Sequence, residues 1–224
     1  MKKVLIPVTN HPTLGSTEQP NGTYAPELTH VVAILNAHNI GFDIASLAGG
    51  EVPLYGTDIE DDQVNSDVLS NPDFMDKVNN TQVISKLDIE SYDAIFYPGG
   101  FGLLNDLAED KVMASLAAKH YESGGIIAAV CHGPAALLPI TLSSGELLLA
   151  DKKVTSFTRE EEVDFGTIED IPFLLEESLT RKAAQFNKVQ PWQSFVIEDD
   201  RLITGQNPAS AHAVGELLVS KIAR

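Results

Sequence analysis

Short apolar runs alternate with longer amphipathic stretches along most of the chain. Ile126 to Val130 contains no polar residue, which is typical of a strand buried on both faces of a parallel sheet. Such alternation of strands and helices predicts an α/β fold with a mostly parallel sheet and helices on both faces. The strands predicted in this way are Lys3 to Val8, Phe42 to Leu47, Asp93 to Tyr97, Ile126 to Val130 and Val154 to Thr158.

Helical periodicity separates these strands. Pro26 fits the first turn of a helix that runs to about Asn39, since proline is favoured there. The residues 195–197 and 202–204 flank an acidic turn and predict a hairpin. The other predicted helices are Leu107 to Glu122, a short one near Pro134, Pro172 to about Ala184, and one that Asn207 and Pro208 open and that ends near Ile222.

The stretch from Gly49 to Ser91 fits this alternation poorly. It is acidic at its start and amphipathic from Asp73 to Leu87. We interpret residues 49–91 as an insertion that lies over or beside the sheet. No linker or repeat divides the sequence, so we predict a single domain over residues 1–224.

The amino-acid composition argues against several classes of protein and of binding partner. Thirty-two acidic against 15 basic residues give a net charge of −17, which repels nucleic-acid backbones and anionic membrane surfaces. The single cysteine excludes an internal disulfide. The apolar run at the start of the chain is too short for a signal peptide and is broken by Pro7, and no window has the roughly 18 apolar residues of a membrane span. We predict a cytoplasmic protein.

The strongest chemical signal is the junction after the buried strand. Cys131 follows Val130 directly, a helix is predicted next, and small residues stand two places before and after it, at Ala129 and Gly133. This is the pattern of a nucleophile elbow, in which a tight turn exposes the nucleophile above the sheet. The nearby helix N-terminus is expected to favour the thiolate. We therefore predict that Cys131 is a nucleophile rather than a core thiol.

The neighbours of Cys131 suggest how it would work. The ring of His132 can move a proton or pair with the thiolate, and its backbone N–H can form half of an oxyanion hole. Gly99 and Gly100, after the strand ending at Tyr97, can supply the other half because glycine allows close approach to a ligand. The same two glycines would also suit a plain tight turn.

The predicted elements place two carboxylates near Cys131. Glu27 lies in the first turn of the helix after the first strand, and Glu162 follows the strand expected to end at Thr158 and could orient the His132 ring. Glu160 and Glu161 are adjacent, so the choice among the three stays open. All these positions follow strands, and ligands bind at the carboxyl ends of strands in open α/β sheets.

Other kinds of site lack their motifs. There is no Cys-x-x-Cys or His-Glu-x-x-His, so no metal site is predicted. Gly100-Phe101-Gly102 lacks the third glycine of a dinucleotide fingerprint, and we expect no cofactor. The His-x-Glu of glutamine amidotransferases is missing downstream of Cys131.

The chain resembles the ThiJ/PfpI superfamily, and most of all its glyoxalase III-like branch of heat-shock-associated enzymes. The resemblance covers nearly the whole chain and rests on four motifs: residues 128–135 around Cys131, Tyr97-Pro98-Gly99-Gly100, Ser156-Phe157-Thr158 with its glutamates, and residues 204–210. It implies a flavodoxin-like α/β sandwich, often dimeric, with Cys131 as nucleophile, His132 as its partner, Glu27 as the acid near the sulfur and Glu162 as the triad carboxylate. The implied activity is a lyase reaction, cofactor-free conversion of methylglyoxal to lactate without glutathione.

The chain departs from the family pattern at one position, and its residues are also compatible with two other functions. The family often has His-Gly after the paired glycines, where this chain has Phe101 and Gly102, so position 101 is expected to border the pocket without a polar group. The same elbow would also suit hydrolysis of peptides or glycated adducts. A stress protein that holds unfolded client chains or senses oxidants is the alternative without catalysis.

Overall fold

The computed structural model describes residues 2–223. Its strands are β1 (Lys3–Pro7), β2 (Thr23–Tyr24), β3 (Gly41–Ser46), β4 (Leu54–Tyr55), β5 (Gln82–Val83), β6 (Ala94–Tyr97), β7 (Ile126–Val130), β8 (Lys153–Val154), β9 (Gln185–Phe186), β10 (Val196–Asp199) and β11 (Leu202–Gly205). Its α-helices are α1 (Ala25–Ala37), α2 (Gln63–Leu69), α3 (Pro72–Asn79), α4 (Lys111–Glu122), α5 (Arg159–Phe165), α6 (Leu175–Lys182) and α7 (Ala211–Ile222).

Seven strands form the central sheet in the order β10-β11-β7-β6-β1-β3-β5. Every neighbouring pair is parallel except the β10–β11 hairpin. Alternate residues of β6 enter different cores: Ile95 packs in the core that contains α4, and Phe96 packs in the core that contains α1 and α7. Both faces of the sheet are therefore covered, which confirms the predicted α/β fold and the hairpin.

Residues 49–91 both flank the sheet and join it. They contain the short helices α2 and α3, and then β5, which pairs with the end of β3 and forms an edge of the sheet. Asn71 begins α3 by accepting hydrogen bonds from the N–H groups of Asp73 and Phe74, and α3 packs Phe74 and Val78 into the core.

The strand predicted from Val154 to Thr158 is wrong in its extent. Only Lys153–Val154 is a strand, and it pairs with β9 in a separate two-stranded sheet. Thr158 instead begins α5: its hydroxyl accepts the N–H of Glu161, and the Glu161 carboxylate accepts the N–H of Thr158. This reciprocal capping box fixes the start of a helix and ends the extended backbone.

Other helix boundaries also differ from the sequence prediction. α4 begins at Lys111 rather than near Leu107, because the Asp110 side chain caps it by accepting the N–H of Met113. α6 is shorter than predicted, and a single 3₁₀ turn at Pro208–Ser210 precedes α7. Among residues 2–223, no helix combines the length and apolar character needed to cross a bilayer.

Candidate active site

Cys131 stands at a tight corner between β7 and the 3₁₀ turn Gly133–Leu137. Its φ of 59° lies in the left-handed region that non-glycine residues rarely adopt. Two hydrogen bonds hold this conformation: the Cys131 N–H donates to Gly205 O at 3.0 Å, and Phe157 N–H donates to Cys131 O at 2.9 Å. A Cβ added at Gly133 would lie 2.3 Å from Tyr97 O, so a small residue is required there. The predicted elbow geometry is present.

Two titratable side chains flank the sulfur. His132 Nδ1 lies 3.4 Å from Cys131 Sγ. Glu27, in the first turn of α1, is fully buried, and its Oε2 accepts the N–H of Gly99 at 2.7 Å. Its other oxygen, Oε1, is buried with no hydrogen-bond partner among residues 2–223. Glu27 and Cys131 meet at Gly99, where an added Cβ would lie 2.3 Å from Glu27 Oε2 and 2.8 Å from Cys131 Cβ, so the structure brings Cys131, His132 and Glu27 together.

Glu162 is the glutamate that contacts His132. Its Oε1 lies 2.7 Å from His132 Nε2, and its Oε2 accepts the hydroxyl of Thr167. A hydrogen bond from Nε2–H to this carboxylate leaves Nδ1 as an acceptor facing the sulfur. Glu160 instead points outward to Lys188, and Glu161 caps α5 and binds the segment around Trp192.

Burial controls the charge of the site. It raises the pKa of the Glu27 carboxyl from its ordinary 4.5 to about 8, although the Cys131 thiol and the Gly99 N–H oppose the shift. Burial also raises the pKa of the Cys131 thiol, and the negative charge of Glu27 raises it further. The charge of an ionised Glu27 therefore opposes ionisation of Cys131, so a proton on Glu27 favours the thiolate.

This corrects the expectation that a helix N-terminus lowers the thiol pKa. The helix after Cys131 is only a 3₁₀ turn of five residues, and the sulfur is buried beside carboxyl groups. Desolvation and like charge are larger effects than the dipole of so short a helix. Glu27 and His132 are the titratable groups beside the sulfur that could activate it.

Gly99 and Gly100 have different roles. The Gly99 N–H is engaged by Glu27, so it is not free for an oxyanion, contrary to the prediction for the Gly99-Gly100 pair. The N–H groups of Gly100 and His132 make no hydrogen bond within residues 2–223. Gly100 has a φ of 120°, and a Cβ there would lie 2.2 Å from Gly22 O. Gly100 and His132 are the candidate oxyanion donors.

A cavity of about 330 Å³ opens above Cys131 and His132. The ring of Phe101 lines it, 4.4 Å from the imidazole of His132 between centroids, so position 101 does border the pocket. A larger cavity, about 490 Å³, lies at the opposite edge of the sheet near Asp93 and His120 and contains no cysteine. The aromatic side chains that line the cavity above Cys131 are Tyr24, Tyr55, Phe101, Phe157, Phe165 and Trp192.

Only two of these aromatic residues could be predicted from the sequence, Phe101 beside the paired glycines and Phe157 in its own motif. Tyr55, Phe165 and Trp192 come from segments in which no sequence pattern points to a pocket. Trp192 is the sole tryptophan of the chain, which is the one signal that could have drawn attention to it. Within residues 2–223, no group of three or more His, Cys, Asp or Glu side chains is arranged to hold a metal ion.

Comparison with known proteins agrees with this architecture. Glyoxalase 3 of Candida albicans is 29% identical over 237 residues, covering 98% of each chain, and the glutathione-independent glyoxalase HSP31 of Saccharomyces cerevisiae is 32% identical over 200 residues, covering 87% of this chain and 81% of its own. Among solved structures, Rapid Encystment Protein 24 KDa of Francisella tularensis superposes with a TM-score of 0.95 at 33% identity, covering 99% of both chains. Residues 20–221 match the DJ-1/PfpI family. With this match over most of its length, the chain belongs to the DJ-1/PfpI family.

Proposed function

We propose that this protein is a cysteine-dependent, glutathione-independent glyoxalase that converts methylglyoxal and related 2-oxoaldehydes to 2-hydroxy acids without a cofactor. The observation that carries the proposal is the position of Cys131 Sγ, beneath a pocket and beside His132 Nδ1 and the buried Glu27 carboxyl. Two relatives that match most of this chain are named Glyoxalase 3 and glutathione-independent glyoxalase HSP31, which supports the same chemistry here.

The first step forms a carbon–sulfur bond. His132 Nδ1 accepts the thiol proton, while Glu162 holds the ring and stabilises its positive charge. The thiolate adds to the aldehyde carbon, and the carbonyl oxygen becomes an alkoxide. The N–H groups of Gly100 and His132, which make no hydrogen bond among residues 2–223, can stabilise this charge.

The second step moves hydrogen between the two carbons. The His132 imidazolium first returns its proton to the alkoxide. Glu27 or His132 then moves the proton from the former aldehyde carbon while the ketone oxygen takes up a proton, which gives an enediol. A proton returns to the neighbouring carbon as the former aldehyde oxygen loses its own. The former aldehyde carbon is thereby oxidised to a thioester and its neighbour is reduced to an alcohol, so no external oxidant is needed. Glu27 suits the transfer because a carboxyl with a pKa of about 8 exchanges protons readily near neutral pH.

Hydrolysis completes the cycle. Water adds to the thioester, the carbon–sulfur bond breaks, and the 2-hydroxy acid leaves with Cys131 regenerated. The overall reaction adds one water molecule to the 2-oxoaldehyde. Acyl transfer of this kind uses the same oxyanion donors as the first step.

Loss of the Glu162 charge is expected to slow this reaction without abolishing it. Glu162→Gln keeps an acceptor for His132 Nε2–H but no longer stabilises the imidazolium, and we expect kcat/KM for methylglyoxal to fall roughly 10- to 100-fold. Glu160→Gln is the matched control, since Glu160 pairs with Lys188 outside the site. Equal kinetics for both variants would contradict the assigned role of Glu162.

The proposed function is tested by product analysis. Dialysed protein is incubated with methylglyoxal without glutathione, and lactate is followed by NMR; a chromogenic peptide is supplied in a parallel reaction. We expect catalytic lactate formation and no peptide cleavage. Peptide cleavage without lactate would replace the proposal with a hydrolase, and the absence of both would refute an enzymatic role for these substrates.

A further inference from the structure

We propose that the pocket selects 2-oxoaldehydes that carry an aromatic or branched apolar substituent, and that Phe165 and Trp192 determine this specificity. The proposal rests on the proposed glyoxalase function. It concerns the part of the pocket beyond the sulfur, which holds the substituent rather than the two reacting carbons.

The wall of the pocket is a continuous aromatic surface. The Phe165 ring lies 5.9 Å from Phe101 between centroids, in a stacked arrangement, and 6.2 Å from Trp192. Trp192 in turn meets Phe157 edge-on at 5.5 Å, and Phe157 lies 4.7 Å from the His132 ring. An aryl group attached to the carbonyl carbons at Cys131 would therefore meet rings at the spacing of favourable aromatic pairs.

The size of the cavity exceeds what methylglyoxal needs. A volume of about 330 Å³ is within the range, upward of about 300 Å³, of pockets that enclose drug-sized ligands. The substituent of methylglyoxal is a single methyl group, which leaves most of this space unfilled. Unfilled space beside rings loses dispersion contacts that a larger apolar substituent would make.

The two outermost rings are unusually exposed for their type. Phe165 is 57% exposed and Trp192 is 42% exposed, although both line the cavity. Large apolar groups left uncovered at the entrance of a pocket are a mark of ligand contact. An aryl substituent would cover these rings, whereas a methyl group is too small to reach both.

Trp192 is held in place by hydrogen bonds to its backbone and its ring. Its φ is 65°, and its backbone N–H donates to Glu161 Oε1 at 2.9 Å, while its ring Nε1 donates to Asp164 Oδ2 at 3.3 Å. Glu161 is fully buried and also accepts the side-chain amides of Gln206 and Asn207, at 3.1 and 2.7 Å.

The side-chain amides of Gln206 and Asn207 also form hydrogen bonds with the backbone on either side of Trp192. Gln206 Oε1 accepts the N–H of Val189, and Asn207 Nδ2 donates to Gln193 O. Phe165 lies on α5, the helix that also carries Glu161 and Glu162. Both rings are therefore part of a pre-organised wall, and a ligand would not have to order them on binding.

The experiment compares kcat/KM for phenylglyoxal and methylglyoxal in the wild type, Phe165→Ala, Trp192→Ala and Val163→Ala. Val163 is the matched control, because it is on α5 and 55% exposed but does not line the cavity. We expect the wild type to favour phenylglyoxal at least about tenfold, and the aryl-to-methyl ratio to fall roughly tenfold in each aromatic variant and to stay constant in Val163→Ala. Thermal unfolding confirms that all variants are folded.

The outcomes separate this proposal from the proposed function. Turnover of methylglyoxal without preference for phenylglyoxal, or a ratio that does not change in the two aromatic variants, overturns the specificity and leaves the glyoxalase function intact. Turnover of neither aldehyde by the folded wild type overturns both.

Discussion

Replacing Cys131 with alanine is expected to lower kcat/KM for methylglyoxal by at least about 1,000-fold, because the proposed covalent route then has no nucleophile. The chain contains no second cysteine that could substitute. Cys131→Ser keeps the size of the side chain but not the acidity and nucleophilicity of a thiol, and it should be nearly as inactive. Lactate formation by the purified variants is the measurement.

The stability of these variants separates lost chemistry from lost structure. Alanine retains the left-handed backbone at position 131, so its free energy of unfolding should be close to that of the wild type. Cys131→Gly adopts this backbone without strain and should be more stable than Cys131→Ala by about 1 kcal/mol. Lactate formation by folded Cys131→Ala above a tenth of the wild-type rate would refute the covalent mechanism.

The second large effect is expected at Glu27. Glu27→Gln keeps an oxygen that can accept the Gly99 N–H but cannot exchange a proton, so kcat/KM for methylglyoxal should fall about 100-fold or more. The same substitution should raise stability at alkaline pH. This opposite change in activity and stability is the signature of a carboxyl group kept protonated for its chemistry.

The sign of the stability effect follows from the pKa of Glu27. Its folded-state value of about 8 lies above the ordinary 4.5, so between these values the folded protein holds a proton that the unfolded chain has released. The stability of the wild type therefore falls as pH rises through this interval, by at most about 1.4 kcal/mol per pH unit from this group. Glutamine has no such dependence.

Urea unfolding at pH 5 and pH 8 measures this difference. The free energy of unfolding of Glu27→Gln relative to wild type should be clearly greater at pH 8 than at pH 5. Glu160→Gln is the control: Lys188 lowers the pKa of Glu160, so that variant should show no gain at pH 8. A Glu27→Gln difference that is the same at both pH values would show that Glu27 is ionised in the folded protein.

The sequence predicted that Cys131, His132 and Glu27 lie close together, because parallel strands align their carboxyl ends at one edge of the sheet. Cys131 follows β7, and Glu27 lies near the start of α1. Reasoning from the residues left the choice among three adjacent glutamates open, and only the family resemblance implied Glu162. That choice depends on where α5 begins, and the sequence pattern predicted a strand up to Thr158, where a capping box instead sets the helical phase.

The aromatic wall was beyond sequence reasoning for a different physical reason. Trp192 is placed by hydrogen bonds to Glu161, which is far from it in the chain, and no local pattern encodes such a contact. In the same way, the use of the Gly99 N–H by Glu27 is a tertiary contact. The single-domain division, the homodimer, the cytoplasmic location and the binding of unfolded chains stay predictions.

The carboxyl groups around the sulfur also affect how the catalytic cycle would end. A 2-oxoaldehyde is uncharged and enters without electrostatic cost, but the 2-hydroxy acid is an anion that would form near Glu161 and Glu162, whose charges already act on Cys131. Like charges repel strongly in a buried site, and the net charge of −17 extends that repulsion outward. We therefore expect the anionic product to leave the pocket readily and lactate to be a poor inhibitor.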